Sequence, residues 1–252
     1  MYPSIRTAAV FALTLGLISS PAISQDETVL PTYTSVYEVS PSPGHALRFE
    51  EALEQHMEWA RQQNSNWGWD VFEILAGKRV GNYLLVSRNH TWEDFDENRE
   101  FATSEMAMWR AKVSEHVESF EGGIYKMMPD FSRIPDNVEA YPFSKVSFFS
   151  MLPTSTRSYR SNLRKINDAL KTQESAPPAL WYQQVGGGDQ GTFLLMNPFK
   201  NWVDWPNEKS SQAMARAMDP EKTMAIVDEL AKVILGEETS VIALRPDLSY
   251  RP

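Results

Sequence analysis

The chain contains no cysteine. That excludes disulfides, thiolate metal ligands, a lipoprotein attachment site and a cysteine nucleophile. It also lacks a Gly-x-Ser-x-Gly elbow and any His-x-x-x-His pair. The usual patterns of a serine hydrolase and of a zinc site with closely spaced histidines are therefore missing. Basic residues are the minority, 24 Lys and Arg against 33 Asp and Glu, for a net charge of -9. With no Lys/Arg cluster, this balance argues against nucleic acid or an anionic membrane as partner. Long apolar runs are also scarce. Ala8 to Ile18, about 11 residues, is too short to span a bilayer. Arg6 precedes it, and Pro21, Ala22, Ile23 and Ser24 follow. This is the pattern of a secretory signal over residues 1–24, cleaved near Ser24/Gln25. The expectation is an exported soluble protein, periplasmic or secreted, without a membrane partner after cleavage. A short extension over 25–32 would precede the folded part.

What the chain does contain is a repeat. Tyr33 to Asn98 lies over Phe143 to Glu208 without a gap. Val36 falls on Val146, Pro43 on Pro153, Leu53 on Leu163, Gly77 on Gly187, Gly81 on Gly191, Trp92 on Trp202 and Asp94 on Asp204. After one length change, Met128 to Ser132 (Met-Pro-Asp-Phe-Ser) falls on Arg245 to Ser249 (Arg-Pro-Asp-Leu-Ser). Only about a fifth of the aligned residues are identical, but the apolar pattern persists, and such self-similarity governs the fold.

Each half reads as βαββαβ. In the first, residues 33–40 alternate as a strand and Ala46 to Gln63 carries Phe49, Leu53, His56 and Ala60 on one helical face. Trp69 to Leu75 and Tyr83 to Arg88 form a hairpin with Gly77 and Gly81 in its turn. Thr91 and Asp94 make a capping box. A second helix is predicted from Asn98 to Phe120, stopped by Gly122 and Gly123, with a fourth strand from Ile124 to Met128. The second half repeats the order with Phe143–Met151, Tyr159–Lys171, Leu180–Val185, Thr192–Asn197, Pro220–Leu235 and Thr239–Leu244, and its cap at Asn201–Asp204. The boundaries follow: a first repeat over 33–130, a linker over 131–142 and a second repeat over 143–252.

A βαββαβ unit is a ferredoxin-like layer, an antiparallel sheet with helices on one face, and its bare face needs a cover. Two such units can cover each other. In element order, duplication and the Trp-x-Asp-aromatic start of each second helix, the sequence resembles the dimeric α+β barrel superfamily in fused, single-chain form. Antibiotic-biosynthesis-type monooxygenases, NIPSNAP-like proteins and the haem-containing chlorite dismutase group belong to it. The resemblance implies an α+β fold of two ferredoxin-like repeats packed sheet to sheet. It carries fold further than function.

Trp92 and Trp202 each sit beside a helix cap, and their recurrence favours packing over a ligand platform. Gly186 to Gly191 precedes a strand rather than a helix, so it is a hairpin turn and not a phosphate loop. All four histidines lie in the first half. His45 precedes the first helix and is expected in solvent; His90 follows the third strand, at a barrel rim or in a capping loop. His56 stands where the second half has Ile166, and His116 where it has Val233, each expected on the apolar face of its helix. Glu38, in the middle of the first strand, aligns with Phe148, and strand parity leaves open whether it faces the helices or away; Glu73 aligns with Gln183 and Asp70 with Leu180.

Burying such groups without partners costs about 1–3 kcal/mol each, so they should meet one another, water or a ligand. Three readings stay open. The histidines are structural, or they line a polar small-molecule pocket in the first half, or they hold a metal or haem. The ligand set would comprise His56, His116, Glu38, Glu73, Trp69, Trp109 and His90, and the catalytic or metal candidates are His56, His116 and Glu38. Two histidines and a carboxylate suit a divalent metal. The haem-binding relatives, by the resemblance, carry their ligand His in the C-terminal half, where this chain has none. The leading reading is an exported protein that binds a small apolar or aromatic molecule and needs no cofactor. A cofactor-less monooxygenase in the same pocket and an oligomerising module without a pocket are the alternatives, and a homodimer through the helices stays open.

Overall fold

The computed structural model describes residues 32–252; the signal expected over residues 1–24 lies outside them. The first half contains strand β1 (Tyr33–Pro41), helix α1 (Ala46–Gln62), strands β2 (Asp70–Ala76) and β3 (Tyr83–His90), helices α2 (Trp92–Glu97) and α3 (Arg99–Lys112) and strand β4 (Val117–Met127). The second contains β5 (Phe143–Met151), α4 (Thr156–Lys171), β6 (Leu180–Gly186), β7 (Thr192–Phe199), α5 (Pro206–Ala217), α6 (Pro220–Val233) and β8 (Ile234–Leu244). This is βαββαβ twice, with each second helix in two pieces.

The strands close into one antiparallel barrel in the order β1-β3-β2-β8-β5-β7-β6-β4. Within each half the order is last, first, third, second strand, the ferredoxin-like arrangement. The halves join where β2 pairs with β8 and β4 with β6. Closure removes every edge strand. Strand alternation sends Val36, Phe72, Ile74, Leu84, Val86, Tyr125, Val146, Tyr182, Met196 and Ile242 into the barrel, which they fill. The outer faces carry two further cores under the helices, one per repeat. Helix α1 buries Phe49, Ala52, Leu53, His56, Met57 and Ala60, a stripe with the helical period.

Two helix ends differ from expectation. The helix predicted to reach Phe120 stops at Lys112; a 3₁₀ turn at Ser114–His116 follows, and β4 begins at Val117. Gly122 and Gly123 therefore lie inside a strand rather than ending a helix. Their absent side chains are needed there, because a Cβ on Gly122 would stand 2.6 Å from Val36 O, and one on Gly123 2.8 Å from Gly186 O. Likewise the predicted Pro220–Leu235 helix ends at Val233, and β8 starts at Ile234 rather than Thr239. The Thr91 capping box forms as expected, with Asp94 N–H donating to Thr91 Oγ1 and Thr91 N–H to Asp94 Oδ2. Its expected copy does not. Asn201 makes no side-chain cap and starts only a 3₁₀ turn, and α5 begins at Pro206, a residue suited to the first helical position.

The segments after β4 and β8 exchange sides. Met128 N–H donates to Trp181 O, Trp181 N–H to Ser132 Oγ, and Arg133 pairs with Ala179, so the first repeat's arm packs on the second. The second repeat's arm returns the exchange: Val71 N–H donates to Ser249 Oγ and Trp69 pairs with Tyr250. Phe131 and Leu248 are the buried anchors. The recurring Pro-Asp-aromatic/aliphatic-Ser sequence is thus the signature of these two arms.

Candidate functional site

In the first repeat a cavity of about 180 Å³ lies between α1, α3 and the outer face of the sheet. Tyr37, Trp67, Trp69, Phe95, Trp109 and Phe120 wall it, and His56, Glu105, Asn98 and Ser35 bring polar atoms. Tyr37 stacks on Phe120 with centroids 4.9 Å apart, and the His56 ring stands edge-on to Trp109 at 5.6 Å. His56 is 3% exposed, with Nε2 3.7 Å from Glu105 Oε1. That oxygen also accepts from Trp69 Nε1–H at 2.8 Å. His56 Nδ1 is buried and meets no hydrogen-bond partner among the described residues. Burial, with the Glu105 charge adding to it, pushes the Tyr37 hydroxyl above its ordinary pKa. Tyr37 therefore stays a neutral phenol, able to donate.

Of the residues expected at the site, His56, Trp69 and Trp109 meet around this cavity. His116 does not. It belongs to the 3₁₀ turn after α3 rather than to a helix face, and its Nδ1 lies 3.3 Å from His45 Nδ1. His45 is correspondingly half-buried rather than solvated. Glu38 points the other way: it shares the parity of Val36 and turns toward the barrel interior. There it accepts from Arg79 and Asn82 at one mouth. Glu73 faces the helices but joins a separate ion cluster, with Arg245 Nη1 at 3.3 Å. His90 ends β3, buried, its ring 3.5 Å from that of Trp67 and its Nε2 2.6 Å from Ser87 Oγ. Burial lowers its pKa, against the opposing pull of Asp94. The set His56, His116 and Glu38 is thus dispersed over both faces of the sheet and a turn, because strand parity and the early end of α3 separate them. Among the described residues no group of three or more His, Asp or Glu is placed to hold a metal ion.

A histidine-ligated haem does not fit the described residues. The first cavity is smaller than the roughly 300 Å³ at which drug-sized ligand sites begin, and no histidine of the described residues lines the cavity of the second repeat.

Glu105 and Tyr37 also line the cavity, and neither stands out in the repeat comparison. Tyr37 aligns with Ser147, an ordinary-looking change. Glu105 lies between Asn98, where the ungapped match ends, and His116, which is matched at the other shift, so no position of the second repeat is fixed as its counterpart. Its signal was nevertheless present: it falls on the stripe Phe101, Glu105, Trp109, a carboxylate at i+4 from two aromatics.

The cluster around Arg245 ties the second repeat's arm to the first repeat. Arg245 pairs with Glu50 at 2.6 Å and with Asp247 at 2.7 Å, and Tyr83 O–H also donates to Glu50. The Arg245 hydrogen bonds hold both the Glu50 and the Asp247 carboxyl below the ordinary range. A carboxylate depressed in the folded state contributes stability that is present above its unfolded pKa and is lost as pH falls through the folded one. Urea midpoints should therefore fall as pH drops below about 4. In Arg245→Met the fall should be shallower, and an unchanged slope would show that the cluster contributes nothing.

No family model matches the sequence, and no curated protein matches it. Solved structures do. A putative monooxygenase from Lactobacillus acidophilus NCFM superposes with a TM-score of 0.55 at 7% identity, covering 88% of this chain and 96% of that one. An anthrone oxidase-like protein superposes with a TM-score of 0.54 at 11% identity, covering 85% and 91%. A mutant chlorite dismutase from Candidatus Nitrospira defluvii gives 0.54 at 9%, covering 86% and 92%. At such identities the likeness concerns fold alone, and together with the closed eight-stranded barrel it shows that this chain has the dimeric α+β barrel fold, with both repeats in one chain.

Proposed function

We propose that the first-repeat cavity binds a small, flat aromatic molecule carrying an acidic hydroxyl. One observation carries this reading: a buried imidazole and a carboxylate share a cavity otherwise walled by six aromatic rings. The volume, about 180 Å³, suits a single substituted ring, since a dry cavity of about 150 Å³ accepts benzene. The rings supply offset and edge contacts. His56 and Glu105 can take up the ligand's hydroxyl proton between them, and Tyr37 can donate to the resulting oxyanion.

A second reading makes the same site catalytic, favoured by that proton-handling pair and by the putative monooxygenase and anthrone oxidase-like proteins of the same fold. His56 acts as general base on a phenol or enol. The substrate carbanion reacts with molecular oxygen, so that an activated CH₂ and O₂ give C=O and H₂O. One oxygen atom goes to the substrate and the other leaves as water with the two hydrogens. No cofactor enters the balance. The pattern over Met1–Ser24 supports an exported protein, which an intact-mass measurement of the mature N-terminus tests.

Native mass spectrometry of the purified protein, followed by fluorescence titration with p-cresol and toluene, tests the binding reading. p-Cresol should bind more tightly than toluene, and His56→Ala and Glu105→Gln should each remove the difference. Equal binding of the two, or none, rejects the site. Oxygen consumption with one-ring phenols bearing an activated methylene group tests catalysis, and a rate unchanged in His56→Ala would reject it.

A further inference from the structure

The second repeat holds a larger cavity, about 590 Å³, between α4, α5, α6 and the outer face of its sheet. Repeat equivalence relates it to the first: Ile166 replaces His56, Asn167 replaces Met57, Ala179 replaces Trp69 and Leu195 replaces Leu85. The proton-handling group and one large ring are thereby gone, and the space is correspondingly greater. Its walls are apolar, with Phe149, Tyr159, Trp181, Met214 and Leu230. On α6, Met224 and Val227 line the cavity and are still 61% and 51% exposed, so its opening presents apolar surface to solvent.

One charged side chain reaches this cavity. Arg133 stands on the exchanged arm where the other arm has Tyr250, each paired across to the opposite repeat. Its Nε donates to Pro177 O and its Nη1 to Asn167 Oδ1, both at 3.0 Å and both neutral. No carboxylate of the described residues forms an ion pair with it. Burial lowers its pKa to about 10, which leaves the guanidinium charged at neutral pH. Arg133 also borders an adjoining polar depression lined by Lys200, Lys209 and Arg216, with Asp136, Glu174 and Asp204. There Lys209 pairs with Asp204 at 3.7 Å, whereas Arg216 donates to Ser175 Oγ and Lys200 lies over the Tyr141 ring. A largely buried cation without a counter-charge is costly, and a planar guanidinium matches a carboxylate in a two-point contact.

We propose that the second repeat binds an apolar molecule bearing one carboxylate, its body in the apolar cavity and its carboxylate on Arg133. The site is independent of the one around His56. The two repeats thus keep one architecture and differ in the polar handle: a proton-exchanging pair in one, a fixed cation in the other.

Calorimetric titration of the full protein with dodecanoate and with 1-dodecanol, both below micellar concentration, tests this. Dodecanoate should bind at least tenfold more tightly. Arg133→Met should reduce its affinity to that of the alcohol, and Met214→Trp, which fills the cavity, should weaken both. Equal affinities for acid and alcohol would overturn the role of Arg133. Dodecanoate binding that persists in Met214→Trp would overturn the location. If Arg133→Met does not fold, the comparison of acid and alcohol on the unaltered protein decides the matter alone.

Discussion

Replacing His56 with isoleucine, the residue at the equivalent position 166, is expected to stabilise the protein while abolishing the ligand binding proposed for the first repeat. His56 is 3% exposed on the apolar stripe of α1, and its Nδ1 lacks a partner among the described residues. A buried polar atom left in that state costs about 1–3 kcal/mol, and an apolar group of similar bulk removes the cost. Helix propensity does not oppose the change, since isoleucine and histidine rank alike. Glu105 keeps its hydrogen bond from Trp69 Nε1. The net gain should be about 1–2 kcal/mol, a rise of roughly 2–8 °C in Tm for a chain of this size. Stability and function would then move in opposite directions, as they do where a site is kept at the expense of packing. Thermal melts beside p-cresol titrations measure both. A fall in Tm of similar size would show that the imidazole holds the core together.

Gly122→Ala should be the most damaging small change. The added Cβ would sit 2.2 Å from Tyr37 Cδ1 and 2.6 Å from Val36 O. The ring can turn, but the carbonyl belongs to the β1–β4 pairing, in which Tyr37 lies opposite Gly122. Overpacking against fixed backbone costs about 1–3 kcal/mol, and this contact belongs at the upper end. Tm should drop by roughly 6–12 °C. The displaced Tyr37 ring also lines the cavity, so ligand affinity should fall with it. Gly186→Ala is the control: nothing stands within 4 Å of its Cβ position, and its effect should stay within about 0.5 kcal/mol. Equal losses in both variants would mean that strand glycines matter here only through general propensity.

Gly122 and its neighbour Gly123 show what a local pattern carries and what it does not. Gly122 and Gly123 look like a helix stop, because glycine ends helices and the residues before them are compatible with one. Their actual role depends on Val36 and Gly186, which approach only after the strands pair. Local pattern assigns a glycine a conformation; it does not report what will come close. Thr91 and Asn201 make a similar contrast. Both precede Trp-x-Asp, but Thr91 caps a helix and Asn201 does not, since Pro206 restarts the helix five residues later.

His56 was legible because one repeat served as the reference for the other: an imidazole against Ile166 on a face that must be buried. Glu105 was not, because no position of the second repeat is fixed as its counterpart. His116 lies off the expected face because its helix ends earlier than the periodicity indicates, and the facing of Glu38 stays open in the sequence because a single strand does not state which of its faces is the inner one. The strand's direction emerges only when Val36 is seen among the barrel residues.

The duplication, the βαββαβ order and hence the two-layer unit that must be covered by its copy are all written in the amino-acid order. These follow from local periodicity and from self-similarity, which survive at low identity because burial constrains polarity more than identity. The tertiary structure decided which polar groups share a site: His56 with Glu105, His45 with His116, Glu38 with Arg79, and Arg133 with the opposite repeat. Those pairings depend on barrel closure and on the exchange of the two arms. Both are contacts between segments far apart in the chain, whose register no local pattern encodes.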